Sequence, residues 1–349
     1  MKRKLKSLKN RIAIVISDDD KKGGFQILRE AINFWIVKGE FPYFYFGKFL
    51  YRKEVKNYKE YLSSKEVDKI TLSKNLHHFQ YASLLRNKLA FALHMERNKV
   101  AIPLLISYNL GHRFFYQSSM HIVKNVPSLI SYFEGIFDKT GKHKVFVKIM
   151  AEMGGKGAYL ITKENLKKEI NAYADHILNN DCIHQDVIEQ HQDINVIYPH
   201  SINTIRFDSY LDKKGTIHIL SAFMRFGAGG AVVDNSSSGG MFVRVNLATG
   251  KLQGKSYRQL KYGGRRLAAH PDTNMVFNDF QIPYFLEACE LVKNAVSVIP
   301  DRYIGWDIAI TPSGPVIVEG NDNNSLIAPD IAYGGYLGHP LYAEIMDEA

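Results

Sequence analysis

Near the C-terminal end of this 349-residue chain, residues 305–321 read Gly-Trp-Asp-Ile-Ala-Ile-Thr-Pro-Ser-Gly-Pro-Val-Ile-Val-Glu-Gly-Asn. Two apolar stretches flank a Thr-Pro-Ser-Gly-Pro turn in which Pro and Gly supply the bend, so the segment reads as an antiparallel hairpin. With Ser313 at its centre, the register sets Asp307 directly across from Glu319. Asn321 then follows two residues on, on the same face. Two opposed carboxylates repel each other and weaken a sheet. Either they form the polar face of an exposed hairpin, or a divalent cation sits between them and the Asn321 oxygen adds a third hard ligand. Asp307, Glu319 and Asn321 are thus the candidate metal ligands, and the donor set suits magnesium held with nucleotide phosphates.

The chain is long enough for two or three domains, and 46% hydrophobic with 23% charged residues is ordinary for a soluble protein. No apolar run reaches the roughly 18–20 residues of a membrane span. Residues 12–16 follow a basic start but stop at Asp18-Asp19-Asp20, too short for an export segment. Cys182 and Cys289 are too few for a disulfide framework or a zinc cluster and suit a reducing compartment. The expected location is cytoplasmic. Part of the net charge of +10 is concentrated in positions 2–11, which hold six Lys or Arg residues and no acid. That segment is either a solvated end or a contact for nucleic acid or an anionic membrane. The 20 Tyr and 20 Phe do not cluster with basic residues as a single-strand stacking groove requires, so no nucleic acid is expected.

Along the chain, residues 1–80 read as mainly helical, with apolar positions at Phe25, Leu28, Ile32, Phe34, Trp35 and Ile36. The aromatic run Phe41–Phe46 reads as packing against a neighbouring domain. Residues 86–100 suit one helix, ended by Ile102-Pro103, with a short strand at 104–106. From about residue 145 strands dominate. Residues 145–150 and 158–161 flank a glycine-rich turn at 152–157, a helix fits 164–179 and a strand 182–188. Antiparallel strands at 201–210, 216–226 and 241–246 precede a helix at 283–298. The fold class is α+β, a helical region followed by a small glycine-tipped lid and a larger antiparallel sheet. The expected divisions are 1–85, 86–144, 145–190 and 191–349.

Lys148 sits in an otherwise apolar strand leading into Gly154, Gly155, Lys156 and Gly157. An interior Lys calls for an anion, and glycine turns expose backbone amides to phosphates. Arg206 and Arg225 lie at or near strand ends and are either structural ion pairs or a fork for phosphate or carboxylate. The run Gly227–Gly240, poor in bulky residues, is a flexible linker or a loop that closes over a reacting centre. His200 is read as a structural histidine or a helper in deprotonating an amine.

The order of these features resembles the ATP-grasp superfamily, most closely its sugar-transfer-associated branch. The resemblance covers about residues 80–330. It rests on Asn87-Lys88, Val147-Lys148, Gly154–Gly157, Ser201–Arg206, Arg225-Phe226-Gly227, Val233-Asp234-Asn235 with Gly239-Gly240, Gly305-Trp306-Asp307 and Val318–Asn321. The last two also look like stretches of ribosomal-protein glutamate ligases and D-alanine–D-alanine ligases. The first 80 residues depart from the superfamily in lacking a glycine-rich strand–helix nucleotide fold.

The resemblance implies ATP and magnesium as cofactors. Lys88 and Lys148 would hold phosphates under the glycine turn Gly154, Gly155, Lys156 and Gly157. Adenine would lie in the hinge at Gln185, Asp186, Val187 and Ile188, with Gln190 and His191 on the ribose side and Asn235 also at the nucleotide. Arg206 and Arg225 would act over the γ-phosphate and an acyl phosphate, and Asp307, Glu319 and Asn321 would carry magnesium. The implied activity is an ADP-forming carboxylate–amine ligase acting through an acyl phosphate, for a carboxylate and an amine with a sugar-linked substrate as one option, in polysaccharide or related small-molecule biosynthesis. A phosphotransferase on the same fold and a non-catalytic basic binding protein are the alternatives. The basic start is left as a contact for a membrane or a membrane-borne glycan.

Overall fold

The structure is a computed structural model and describes residues 11–152, 157–234 and 239–349. Its strands form two six-stranded sheets, antiparallel throughout. The smaller sheet uses β1 (Leu105–Leu110), β2 (Arg113–Tyr116), β3 (Ser119–Ile122), β4 (Lys144–Ile149), β5 (Ala158–Thr162) and β6 (Cys182–Gln185), in the order β3-β2-β1-β6-β4-β5. The larger uses β7 (Ile205–Leu211), β8 (Ile217–Phe226), β9 (Met241–Val245), β10 (Leu252–Arg258), β11 (Tyr303–Thr311) and β12 (Gly314–Asn321), in the order β10-β9-β8-β7-β11-β12. The fold is α+β, as the patterning predicts.

The smaller sheet buries one face, whereas the larger is covered on both, its second face by the N-terminal region and the C-terminal helices. In the smaller, Val145, Val147 and Ile149 of β4 pack with Leu129, Phe133 and Phe137 of the helix Val126–Thr140 and Ile170, Ala174 and Ile177 of the helix Leu166–Leu178. In the larger, Ile205, Phe207, Met224, Trp306 and Ile308 pack with Ala288, Val292 and Ala295 of the helix Phe285–Val298. Alternation turns the intervening residues to the opposite faces.

The hairpin pairs Asp307 with Glu319, as the centred turn predicts, but by a different route. Its tip is tighter: Thr311 pairs with Gly314, leaving Pro312 and Ser313 as the turn. A bulge between Asp307 and Ile308 in the pairing adds one residue on β12 and restores the opposition of the carboxylates. The lid strands also match, with Lys148 opposite Ala158.

Other expectations need revision. The helix expected over 86–100 is present as Lys88–Arg97, started by the Asn87 side chain, which accepts from the Leu89 and Ala90 amides; a separate helix, Phe79–Arg86, precedes it and has no counterpart in the sequence pattern. The smaller sheet crosses the boundary expected at 145, since β1, β2 and β3 all belong to it. The helix Val126–Thr140 and the edge strand β10 were not read from the pattern. In the N-terminal region the helix Gly24–Lys38 buries Phe34 but leaves Phe25, Leu28, Ile32, Trp35 and Ile36 exposed. Of the aromatic run, Tyr45 is buried and shares a cluster with Phe223 and Phe242 of the larger sheet, while Phe41 and Tyr43 stay exposed.

Candidate active site

One row of cross-strand partners builds the floor. Glu319 on β12 faces Asp307 on β11, Asp307 faces Arg206 on β7, Arg206 faces Phe223 on β8, and Phe223 faces Arg244 on β9. Paired residues share a sheet face, so all of these lie opposite the Trp306 core. Arg206 grips Asp307 with both arms of its fork, Nε to Oδ1 and Nη2 to Oδ2, the second at 3.0 Å. Arg225 adds its Nη2 at 2.8 Å from the same Oδ2. Burial alone would raise the Asp307 carboxyl's pKa, but the two guanidiniums overcome it and hold the group well below the usual range. Glu319 goes the other way. Desolvation and the neighbouring Asp307 charge push it up, against the pull of the same arginines. Of the pair, Glu319 is therefore the one that takes a proton.

Glu319 keeps exposed surface and Lys148 is half-exposed, yet both are hemmed in by protein on most sides. That combination describes side chains within an open cleft. Lys148 comes from the smaller sheet, on the face away from Val147, and not from the strand's buried side as an interior Lys would. Among the described residues it makes no hydrogen bond, and its ammonium lies 5.6 Å from the Phe146 ring centroid. Burial lowers its pKa to about 8; Glu319 opposes the shift and Lys88 adds to it. Lys88 stands at the start of its helix and donates to the Met150 carbonyl at 3.0 Å and to the Glu152 carbonyl. It thereby anchors the chain entering the glycine turn. Its pKa is lowered by burial against the pull of Glu319 and Glu152. The site thus brings Lys148 from the smaller sheet, and Lys88 from a helix packed on the larger sheet's core, to Glu319, Asp307, Arg206 and Arg225.

Asn321 lies on the hairpin with its Nδ2 3.3 Å from Glu319 Oε1. The next residue, Asp322, is held by Arg86 at 3.1 and 2.6 Å, which ties the strand end to the helix carrying the approach to Lys88. Asp307, Glu319 and Asn321 offer hard oxygens, and the raised Glu319 pKa marks a carboxylate pair whose repulsion the arginines only partly relieve. A divalent cation suits that chemistry.

The hinge residues behave differently from one another. Gln185 is buried and donates to the Pro103 carbonyl at 3.1 Å. Asp186 pairs with Lys142 and accepts the Val187 amide at 3.0 Å. Val187 and Ile188 are half-buried, and the His191 amide reaches the Ile310 carbonyl of β11 at 2.8 Å. Gln190 is engaged inside the protein: it donates to Asn195 and Tyr198 and accepts from the Asn203 amide at 2.6 Å. Gly157 sits in the left-handed region, φ 64°, where a Cβ would meet Ile149 at 2.9 Å. Gly154, Gly155, Lys156 and Asn235 lie outside the described residues.

Thr204 and Asp234 stand in stretches that carry the family resemblance, but their partners are visible only in the fold, as are those of Asp208 and Asn324. Asp234 accepts the Thr204 amide at 2.8 Å and its hydroxyl at 2.6 Å, and Thr204 in turn accepts from Arg225 Nε at 3.0 Å. This relay fixes Arg225 and pins one stem of the run 227–240. Asp208, fully buried, is bonded by Tyr336, Ser221 and Asn324. Asn324 packs where a Cβ on Gly305 would lie, only 2.4 Å from its Nδ2, so Gly305 is set by close approach. Only the Gly-Trp-Asp triplet hinted at that contact.

Two antiparallel sheets with a cationic lid side and a carboxylate–guanidinium floor define the ATP-grasp fold. The family description "Sugar-transfer associated ATP-grasp" matches residues 69–343, and the chain belongs to that family. No curated protein matches it in sequence. Solved structures similar to it include D-alanyl-alanine synthetase A from Vibrio cholerae, at 11% identity and TM-score 0.45, over 76% of this chain and 66% of that one. N5-carboxyaminoimidazole synthetase from Staphylococcus aureus, complexed with ADP, matches at 12% identity and TM-score 0.43, over 72% and 48%. A RimK domain ATP-grasp protein from Sphaerobacter thermophilus matches at 10% identity and TM-score 0.41, over 77% and 69%. The chain thus spans about two-thirds, a half and two-thirds of those proteins' lengths.

Proposed function

We propose that the protein is an ATP-dependent, ADP-forming carboxylate–amine ligase with a sugar-linked substrate, acting in polysaccharide biosynthesis. The observation that carries this reading is the cleft itself. Lys88 and Lys148 face Glu319 beside an Asp307 locked between two arginines, so cations and hard oxygens meet where a polyphosphate would lie. Lys88 and Lys148 would hold the phosphates of ATP, and the hinge 185–191 would border the base and ribose. Asp307, Glu319 and Asn321 would hold magnesium, which when bound neutralises charge on the transferring phosphoryl group.

In this reading the substrate carboxylate attacks the γ-phosphorus and ADP leaves, giving an acyl phosphate. Arg206 and Arg225 stabilise the charge spreading on the transferred group. Their Nε and Nη2 are committed to the protein, and Nη1 of each lies outside those bonds. Asp307 fixes the orientation of both forks. The amine then attacks the acyl carbon, phosphate leaves, and the amine proton passes to solvent or a base. No side-chain nucleophile is required.

The test is calorimetric titration of ATP-γ-S, with and without magnesium, into the wild type and Glu319→Gln. Magnesium-dependent binding that the substitution weakens supports the reading. Screening carboxylate and amine pairs for ADP release then separates an amide product from a phosphate ester. A folded wild type that binds no nucleotide overturns it.

A further inference from the structure

The helix Gly24–Lys38 buries Ala31, Phe34 and the charged Glu30, and turns a second set of large apolar residues outward. Glu30, 6% exposed, is bonded by Lys22 at 2.6 Å, the Tyr45 hydroxyl at 2.8 Å and Gln26 at 2.8 Å. On the other side Phe25, Leu28, Ile32, Trp35 and Ile36 are 47–81% exposed. Their spacing places them on one stripe. Phe41 extends it, with its ring 5.7 Å from Trp35 and 4.8 Å from exposed Tyr43. Isolated exposed apolar residues are normal, but a stripe of large ones marks a face that something covers.

We propose that this face docks the protein on an anionic membrane surface, lying within the headgroup region. Charge complementarity selects that occupant. Positions 2–11 carry six Lys or Arg residues and no acid, and lead directly into the helical residues 11–16. Exposed Arg29 shares the outward face of the helix Gly24–Lys38. Trp, Phe and Tyr are the side chains that settle at a lipid interface. Among the described residues no helix is long and apolar enough to cross a membrane, which leaves the interfacial mode for this stripe.

The docking layer also lies beside the cleft. Its cluster includes Phe223 and Phe242, the cross-strand partners of Arg206 and Arg225. It therefore packs on the sheet face that carries the site residues, so a membrane-borne acceptor would arrive on that side.

The test mixes the full chain with vesicles of phosphatidylcholine, alone or with phosphatidylglycerol. The chain should sediment with the anionic vesicles and release as salt rises. Trp306 is buried and the chain has two Trp residues, so a blue shift of emission reports Trp35 entering lipid. The double variant Ile32→Glu with Ile36→Glu should bind at least about tenfold more weakly. Both side chains are exposed, and circular dichroism and thermal unfolding check that the variant folds. Phe79→Ser, on a different exposed side chain, should bind like the wild type. No binding to anionic vesicles at low salt overturns the proposal. So does binding indifferent to the double variant, or a dimer in light scattering that the same variant abolishes.

Discussion

The two sheets bring opposite preparations to the same cleft. On the larger sheet Asp307 and its arginines already compensate one another, with Glu319 left as the carboxylate beside them: Asp307 lies between Arg206 and Arg225, and Arg225 is braced through Thr204 to Asp234. The smaller sheet presents Lys148 with no hydrogen-bond partner among the described residues, and its pKa falls to about 8. Burial treats the two sides alike, since it penalises every charge it encloses. What differs is whether the protein supplies the counter-charge. The Asp307–arginine part of the floor is set before any ligand arrives, and the lid side leaves a cation for an anion to satisfy.

Removing the counter-charge from the floor is the sharpest way to break this contrast. Asp307→Asn leaves two buried guanidiniums without their carboxylate and should cost about 3–5 kcal/mol of stability, read from urea unfolding midpoints. It should also let Glu319 ionise at lower pH, because its nearest like charge is gone. On the lid side, Lys148→Met should leave stability unchanged or slightly raised while weakening ATP-γ-S binding by roughly 10²–10³-fold. If instead Lys148→Met unfolds the protein and Asp307→Asn does not, the contrast fails. Gly305→Ala tests the floor through packing. A methyl group there displaces Asn324 from beside Asp208 and should cost about 1–3 kcal/mol in thermal unfolding.

The smallest effect concerns pH. A Lys with a free-protein pKa of about 8 is partly neutral at pH 8, and a bound polyphosphate raises that value. Binding should be full below pH 8 and weaken above it, up to the pKa of the complex, with proton uptake on binding. Titrations near pH 8 in buffers of different ionisation enthalpy measure that uptake, and Lys148→Arg should abolish it. Nucleotide binding with no proton uptake would mean that Lys148 is already charged in the cleft.

Much of the larger sheet was legible because alternation is a local code. The register Asp307 opposite Glu319 follows from residue spacing, although it arises from a two-residue turn plus a bulge instead of a centred turn. The helix expected over 86–100 is found as Lys88–Arg97, while its exact start depends on the Asn87 side-chain cap, which is a matter of rotamer. The strands β2 and β3 are short and partly exposed, so their apolar signal is weak. Thr204 and Asp234 stand in recognisable stretches, but nothing local names their partners or that of Asn324, which lie 21–116 residues away.

The sequence by itself determined the two hairpins, the α+β class and which charged side chains stand on the strands, because a period of two assigns faces without any long-range contact. The tertiary structure alone decided that Arg206 and Arg225 both close on Asp307, and that Lys148 meets Glu319 across a cleft. It also decided that the apolar stripe of the helix Gly24–Lys38 faces outward. Periodicity says that a helix has two sides. Which side is buried depends on where Glu30 finds Lys22 and Tyr45, a choice made only when distant elements pack.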